Sequence, residues 1–478
     1  MNFPNEIRVS DYICKTLVLE GINKAFLITG GGAMHLNDAI TRNKKIDHHF
    51  MHHEQALSMA ADGYSRLTNK PAIVNITTGP GVVNVLNGVY GAFVDSIPMF
   101  VLSGQVRTET ISQLYDKSLR QLGDQEIDTH SLVKPIVKYY ALVTTIEELN
   151  LAIKNCIYHL NSGRPGPVWL DVPIDIQSQK LTVVKNKIIY NKEKKKLKID
   201  YVHKNQKKLN LKINDIENDT KYILKALKES KKPILMIGTG VRISKQERRI
   251  LRIIKKLKIP VVVGWNANDI IPNDNKFFVG KPGTVGDRSG NFSILNSDLV
   301  LVLGCRLNIR QISYNWKSFA KNAKLIMIDI DKSEIKKHTL NIKKGFNYDL
   351  KVFLPELEKK LTNWKTINFH KVFWNWCKKI SNKYPIIQAH HFKKNKVNPY
   401  GFFEILYKNL SSKDTVVLAN GTACVVGLQT SNIKKGMRLF TNSGAASMGY
   451  DLPAAIGACL SYNKKKRVIC WRSYRDKR

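Results

Sequence analysis

An apolar run, a glycine or proline turn, then a helical pattern: this unit recurs along the chain and leaves few folds open. Up to about residue 180 the runs are Ala25-Phe26-Leu27-Ile28, Ala72-Ile73-Val74-Asn75-Ile76, Met99-Phe100-Val101-Leu102 and Val168-Trp169-Leu170-Asp171-Val172. Short apolar strands alternating with helices predict α/β domains with parallel sheets covered on both faces. A second series begins at Pro233-Ile234-Leu235-Met236-Ile237 and continues through Pro260-Val261-Val262-Val263, Leu299 to Leu303 and Lys324 to Asp329. A third starts near Asn398-Pro399-Tyr400-Gly401 and includes a small-residue helix, Asp451 to Leu460, and a strand, Arg467 to Cys470. The expected organisation is three doubly wound parallel-sheet domains, at residues 1–180, 216–360 and, incompletely, 398–470. A basic linker at 181–215, a helical linker at 361–397 and an aberrant tail at 471–478 complete the chain. Open sheets of this kind place ligands beyond the carboxyl ends of their strands, which directs attention to Gly30-Gly31-Gly32 and Thr78-Gly79-Pro80-Gly81.

Composition excludes several classes. At 478 residues and 43% apolar content the chain is globular, with room for about three domains of ~150 residues. Its longest apolar stretches fall far short of the ~20 residues of a membrane span, and its first residues lack a basic-then-apolar signal, so a cytoplasmic protein without membrane partners is expected. Seven cysteines without a Cys-x-x-Cys spacing read as ordinary buried thiols. The formal charge of +39 is spread lysine, and its densest run, Lys185 to Lys212, has few aromatics and no nucleic-acid motif. It reads as a solvated linker, and no nucleic-acid partner is expected.

The densest cluster of chemically able residues is His52-His53-Glu54-Gln55, ahead of an Ala-rich helix. Glu54 falls near a helix N-terminus, where a carboxylate is stabilised by the macrodipole. Adjacent histidines on an extended segment point to opposite sides, and neither has an i, i+4 partner, so the pattern argues against a metal. Gly238-x-Gly240 lacks the third glycine of a dinucleotide fingerprint and is weak evidence for a nucleotide.

The order of motifs carries more than any one of them. Gly30-Gly31-Gly32-Ala33, His53-Glu54-Gln55-Ala56, Thr78-Gly79-Pro80-Gly81-Val82-Val83-Asn84, Leu102-Ser103-Gly104-Gln105-Val106 and Gly163-Arg164-Pro165-Gly166-Pro167-Val168 together resemble the thiamine-diphosphate-dependent decarboxylases and carboligases, closest to acetolactate (acetohydroxyacid) synthase large subunits. The resemblance runs from about residue 7 to 470.

It implies a pyrimidine-binding first domain, a Rossmann-like central domain and a diphosphate-binding third domain. Glu54 would be the glutamate that hydrogen-bonds the pyrimidine and drives proton removal, with Pro80 and Asn84 lining its pocket and Gly31, Gly32 and Gln105 facing the reaction cavity. In the third domain the resemblance gives Gly421, Thr422 and Ala423 to the diphosphate turn, Ala446 to the carbonyl that accepts from the cofactor's amino group, and Met448 to the prop beneath its thiazolium ring. Implied with these are thiamine diphosphate, Mg²⁺, a small-molecule 2-oxo acid substrate, and a homodimer or homotetramer that builds each site from the first domain of one subunit and the third of another. The implied reaction is decarboxylation of pyruvate and carboligation to 2-acetolactate, a transferase activity of branched-chain amino acid biosynthesis. FAD is allowed rather than required: Gly283-Thr284 and Gly304-Cys305-Arg306-Leu307-Asn308-Ile309-Arg310-Gln311 stand where synthases carry flavin-binding residues, without the usual aspartate pair. Other 2-oxo acid decarboxylases and lyases therefore stay open.

The resemblance also predicts a Gly-Asp-Gly-Ser turn after the strand Val468-Ile469-Cys470 and, about thirty residues on, an asparagine that completes the magnesium site. Trp471-Arg472-Ser473 follows instead, so the metal ligands are expected to be missing from this chain. Residues 398–470 hold about two and a half βα units at ~30 residues each, against the ~5 to 6 strands of a typical sheet. If Arg472 is encoded by AGA and Ser473 by TCN, a one-base shift restores Gly-Asp, which reads as a frameshift; the alternative is a genuine short product with a different C-terminus, and for function a catalytically inactive remnant is the alternative.

Overall fold

The computed structural model describes residues 3–184, 187–188, 196–203, 213–393, 397–462 and 466–471. It is α/β with mostly parallel sheets, and it divides into two compact units, residues 1–207 with 442–470, and residues 208–441 with 471–478.

The first unit is built on seven strands: β1 (Lys24–Leu27), β2 (Asp47–Phe50), β3 (Ile73–Ile76), β4 (Met99–Gln105), β5 (Tyr139–Leu142), β6 (Pro167–Pro173) and β7 (Ile199–Val202). Their order across the sheet is β7-β5-β6-β4-β3-β1-β2. All neighbours are parallel except β7, which runs antiparallel to β5 with Ile199 opposite Leu142. From β1 the chain first builds outward to β2 and then reverses to β3, so the switch point lies between β1 and β3. The two glycine-rich turns expected to carry ligands follow these two strands.

The edge strand β7 corrects part of the linker reading. Ile199-Asp200-Tyr201-Val202 alternates half-buried and exposed residues, the period of a strand with one covered face. Lys180–Val184 likewise pairs antiparallel with Glu6–Arg8. The rest of the lysine-rich run, 185–186, 189–195 and 204–212, lies outside the described residues, as does 472–478 of the tail.

Three helices of this unit matter for chemistry: α1 (Met34–Arg42), α2 (Glu54–Thr68) and α3 (Pro80–Asp95). A later helix, α6 (Asp451–Ser461), packs on α2 at backbone contact distance. A Cβ at Gly63 would stand 2.1 Å from the carbonyl oxygen of Ala454, and one at Gly457 would stand 1.8 Å from that of Ala60. The small residues read from sequence as a tightly packed helix serve this crossing, which a larger side chain would push apart. Beside it Tyr450 donates to Asp62 at 2.5 Å, and Arg66 joins Asp62 (2.6 Å) to Asp95 (2.8 Å).

The second unit holds a six-stranded parallel sheet, β8 (Pro233–Ile237), β9 (Val261–Val263), β10 (Phe278–Gly280), β11 (Leu299–Leu303), β12 (Lys324–Asp329) and β13 (Ile342–Asn347), in the order β10-β9-β8-β11-β12-β13. Its switch point, between β8 and β11, is closed by its own backbone. The Gly240 N–H donates to Gly304 O at 3.0 Å, and a Cβ at Gly238 would meet that oxygen at 2.1 Å. The Gly238-x-Gly240 pair therefore serves chain-to-chain approach. The expected helical linker contains Asn368–Lys383, which buries His370, Phe373 and Cys377, with His370 Nε2 3.0 Å from Ser230 O. The unit also carries the parallel pair β14 (Thr415–Leu418) and β15 (Arg438–Phe440), with α5 (Thr422–Gln429) following β14. All seven cysteines are free thiols; five are buried, Cys459 is half-buried and Cys470 is exposed, so the buried-thiol reading holds for five.

Candidate active site

Glu54 opens α2. The residue before it, His53, is extended, and its Nδ1 accepts the Gln55 N–H at 3.1 Å, so this histidine caps the helix. Glu54 is 8% exposed; Oε2 accepts from Asn84 Nδ2 at 3.0 Å, while a Cβ built on Gly81 would stand 3.5 Å from Oε1. The carboxylate therefore faces the first turns of two helices, α2 and α3, whose positive ends favour negative charge. A largely dehydrated carboxyl with one oxygen held by an amide can share a proton with a bound nitrogen base through the other.

The turn that delivers α3 is shaped by Gly79 and Pro80. Gly79 lies at φ 60°, and a Cβ there would collide with Gln125 O at 2.1 Å. Pro80 then starts the helix at the position where a missing N–H costs nothing. Opposite, the Gly30–Gly32 loop presses on the same turn: a Cβ at Gly30 would lie 2.4 Å from Thr77 Cβ, and one at Gly32 would lie 3.1 Å from Thr78 Cγ2. Gly31 has nothing within 4 Å of its Cβ position and opens on a cleft shared with Thr29, Met34 and Asn37. The two glycines expected to face the cavity thus divide: Gly31 borders open space, and Gly32 packs against the turn.

Gln105 departs further from expectation. It is 3% exposed, and its amide is spent inside the unit: Oε1 accepts from Thr78 Oγ1 at 2.6 Å and from Val106 N at 2.9 Å, and Nε2 donates to Asp171 Oδ2 at 3.2 Å. A buried carboxylate draws the amide inward, so the side chain supports the turn from below.

Ala446 and Met448 belong to the segment leading into α6, which lies along α3. Ser447 Oγ donates to Asn87 Oδ1 at 2.5 Å, and a Cβ at Gly91 would sit 3.6 Å from that of Ala445. Ala446 is left-handed at φ 55°, and the Met448 side chain is 85% exposed.

Gly421, Thr422 and Ala423 lie in the second unit. Gly421, at φ 74°, turns the chain from β14 into α5, and Thr422 is exposed at the helix start, a strand–glycine–helix junction of the type that receives phosphate. The Ala423 side chain is fully buried and contributes only through its backbone. The far end of α5 is clamped by Lys281, whose Nζ donates to Leu428 O (3.0 Å), Gln429 O (3.1 Å), Ser431 O (3.1 Å) and Ser431 Oγ (2.7 Å). Burial pushes this ammonium down to about 8.

The two segments that stand where synthases carry flavin-binding residues are bonded to one another. Thr284 N and Oγ1 both donate to Arg310 O (2.9 and 3.0 Å), and Gln311 donates to Pro282 O and accepts from Trp265 N at 3.2 Å. The Gly283–Thr284 and Gly304–Gln311 segments thus bond to each other, and the cavity beside them, lined by Trp265, Asn268 and Lys281, measures about 10 Å³, room for one water. Among the described residues no three His, Cys, Asp or Glu side chains are grouped to hold a metal ion.

Sequence reasoning passed over Lys281 and Gln125, and read Asp171 only as part of a strand. Gln125 carried no motif, although its left-handed φ of 61° and its carbonyl against Gly79 make it part of the turn. No helix is long and apolar enough to cross a membrane among the described residues.

Comparison with known proteins matches residues 7–132 to the N-terminal TPP binding domain of thiamine pyrophosphate enzymes, 220–357 to their central domain and 419–472 to their C-terminal TPP binding domain. The chain is 28% identical over 467 residues to the acetolactate synthase large subunit of Buchnera aphidicola subsp. Schizaphis graminum, covering 96% of this chain and 76% of that one. It is 26% identical over 465 residues to the acetolactate synthase isozyme 1 large subunit of Escherichia coli K12, covering 97% and 76%. Against the chloroplastic acetolactate synthase of Arabidopsis thaliana it is 29% identical over 461 residues, covering 95% and 64%. With all three domains matched in order and a carboxylate held at the switch point of the first, the chain belongs to the thiamine pyrophosphate enzymes, as a 2-oxo acid enzyme of the transferase or lyase type similar to acetolactate synthase large subunits.

Proposed function

We propose that this chain acts on pyruvate, releasing carbon dioxide and transferring the remaining two-carbon unit to a second 2-oxo acid to give 2-acetolactate. The observation that carries the reading is the Glu54 carboxyl held by Asn84 at 3.0 Å, at the switch point of the first sheet. Thiamine diphosphate, when bound, supplies the carbanion chemistry of this decarboxylation. Glu54 holds the proton that the cofactor's pyrimidine exchanges, and Asn84 keeps its carboxyl in place. Pro80 and Gly81 shape the wall beside it, and Gly31 leaves the substrate cleft open. In the second unit, the Gly421–Thr422 turn offers backbone N–H groups to a diphosphate.

A second reading is a flavin-free 2-oxo acid lyase or ligase with another acceptor. The closed pairing of Thr284 with Arg310 and of Gln311 with Pro282 favours it. Subunit assembly as a homodimer or homotetramer is part of both proposals.

Calorimetry of the purified chain with thiamine diphosphate and Mg²⁺, followed by product analysis from isotopically labelled pyruvate, tests the proposal. Tight binding and labelled 2-acetolactate are expected; binding with a different product supports the second reading. Absence of cofactor binding sinks both. Glu54→Gln should leave the cofactor bound and lower turnover by at least ~100-fold, the scale of a lost acid–base group.

A further inference from the structure

Beneath the turn that starts α3 lies a buried polar cluster with a single carboxylate at its centre. Asp171, on β6, has no exposure at all. Its Oδ1 accepts from Ser103 Oγ at 2.7 Å, and its Oδ2 accepts from Tyr140 OH at 3.1 Å and Gln105 Nε2 at 3.2 Å. Ser103 Oγ in turn accepts from Trp169 Nε1 at 2.7 Å, and Gln105 Nε2 also lies 3.4 Å from Thr129 Oγ1. Burial pushes the Asp171 carboxyl up to about 6, against the pull of these donors. With Ser103 Oγ taking the Trp169 N–H and Gln105 Nε2 able only to donate, both Asp171 oxygens act as acceptors.

An acceptor-only neighbour fixes the Gln105 amide. It requires Nε2 on its side, which leaves Oε1 for the Val106 N–H, a group that can only donate, and for the Thr78 hydroxyl. Thr78 is held from above by the Gly30–Gly32 loop, with 3.1 Å between its Cγ2 and the Cβ position of Gly32. From Thr78 the chain passes through Gly79 into Pro80, Gly81 and Asn84, the residues around Glu54.

We propose that Asp171 is a positioning residue: by fixing the orientation of Gln105 it holds Thr78, and through Thr78 it sets the Thr77–Gly81 turn that carries the cofactor-facing start of α3. Its link to the cofactor rests on the function proposed above. Replacing the carboxylate by an amide inverts the logic. In Asp171→Asn one of the two acceptor oxygens becomes a donor; where that NH2 takes the place of Oδ2, facing Gln105, the Gln105 amide flips, and the Val106 N–H loses its acceptor while Thr78 is left with a donor opposite.

Hydrogen exchange on the full-length chain without cofactor reads this directly. In Asp171→Asn the amides of Val106, Gly81 and Val83 should exchange about ten-fold faster or more, with protection in β8 and β11 unchanged, the mark of a local opening. Thr78→Val should reproduce the effect, and Thr78→Ser, which keeps the hydroxyl, should not; this pair decides the matter if Asp171→Asn does not fold. Affinity for thiamine diphosphate should fall about ten-fold in Asp171→Asn and Thr78→Val and stay unchanged in Thr78→Ser. Unchanged exchange at Val106 and Gly81 overturns the proposal, as does unchanged affinity where the parent chain binds. If the parent chain binds no cofactor, the functional reading falls and the exchange data alone decide the role of Asp171.

Discussion

Asn84 Nδ2 donates to Glu54 Oε2 across 3.0 Å, joining the fifth residue of α3 to the first residue of α2. The bond orients the carboxyl without neutralising it, because the amide brings a donor and no charge. A hydrogen bond to an ionised group contributes ~1.5–3 kcal/mol, a factor of about ten to a hundred in rate if it is felt in the transition state. Asn84→Ala should therefore lower kcat of the cofactor-loaded chain by about that factor. Asn84→Asp should lower it further, since two carboxylates would then share the site. Steady-state kinetics with pyruvate, set beside thiamine diphosphate affinity, separates loss of turnover from loss of binding.

What the sequence could disclose here depended on distance along the chain. Glu54 was readable as a helix-start carboxylate because it follows an extended segment, with its role implied only by the order of motifs, and the Gly79-Pro80 turn because a strand stops and a helix starts within a few residues. The support beneath them was not. Asp171 reaches Gln105 across 66 positions and Lys281 reaches Leu428 across 147, and no local period signals which carbonyl a buried side chain will meet. Gln105 shows the limit most clearly, since the family resemblance implied that it faces the reaction cavity, whereas the charge on a distant β6 residue turns its amide inward. The small face of α6 was legible as tight packing; its partner, α2, was not.

The α2/α6 crossing should resist even one added methyl. Gly63→Ala gains about 1 kcal/mol of helix propensity, yet its Cβ would fall 2.1 Å from Ala454 O, a backbone atom that cannot rotate away. Overpacking of this kind costs ~1–3 kcal/mol, and with a rigid backbone atom at 2.1 Å the upper part of that range applies, so the variant should be less stable by up to about 2 kcal/mol. Urea unfolding checks this through a lower midpoint; a midpoint at or above that of the parent would show that the two helices are not in backbone contact.

Gly31→Ala should behave in the opposite way. Its Cβ position is empty to 4 Å and its φ is not left-handed, so stability should stay within ~0.5 kcal/mol of the parent. The methyl would instead narrow the cleft beside Thr29 and Asn37. A fall in kcat/KM for pyruvate at unchanged stability is expected; unchanged kinetics would place the substrate elsewhere.

Lys281 tests the diphosphate half of the cofactor proposal through pH. Its ammonium meets three backbone carbonyls at the C-terminus of α5, where the helix dipole favours a cation, but burial is the larger effect and lowers its pKa to about 8. Because the unfolded chain holds this proton up to ~10.4 and the folded chain releases it near 8, the folded state binds fewer protons between those values, and stability from this group rises with pH across that window. Lys281→Met should flatten the rise. Below pH 8 the same substitution should still cost ~1–3 kcal/mol, because Leu428, Gln429 and Ser431 lose the donor on their carbonyls. Release of that clamp should let α5 shift and weaken binding at the Gly421–Thr422 turn, seen as lower affinity for thiamine diphosphate at pH 7. Melting curves from pH 7 to 10 together with calorimetry separate the two effects: a flattened pH profile with unchanged affinity would leave Lys281 a stabilising residue alone, with no hold on the diphosphate turn.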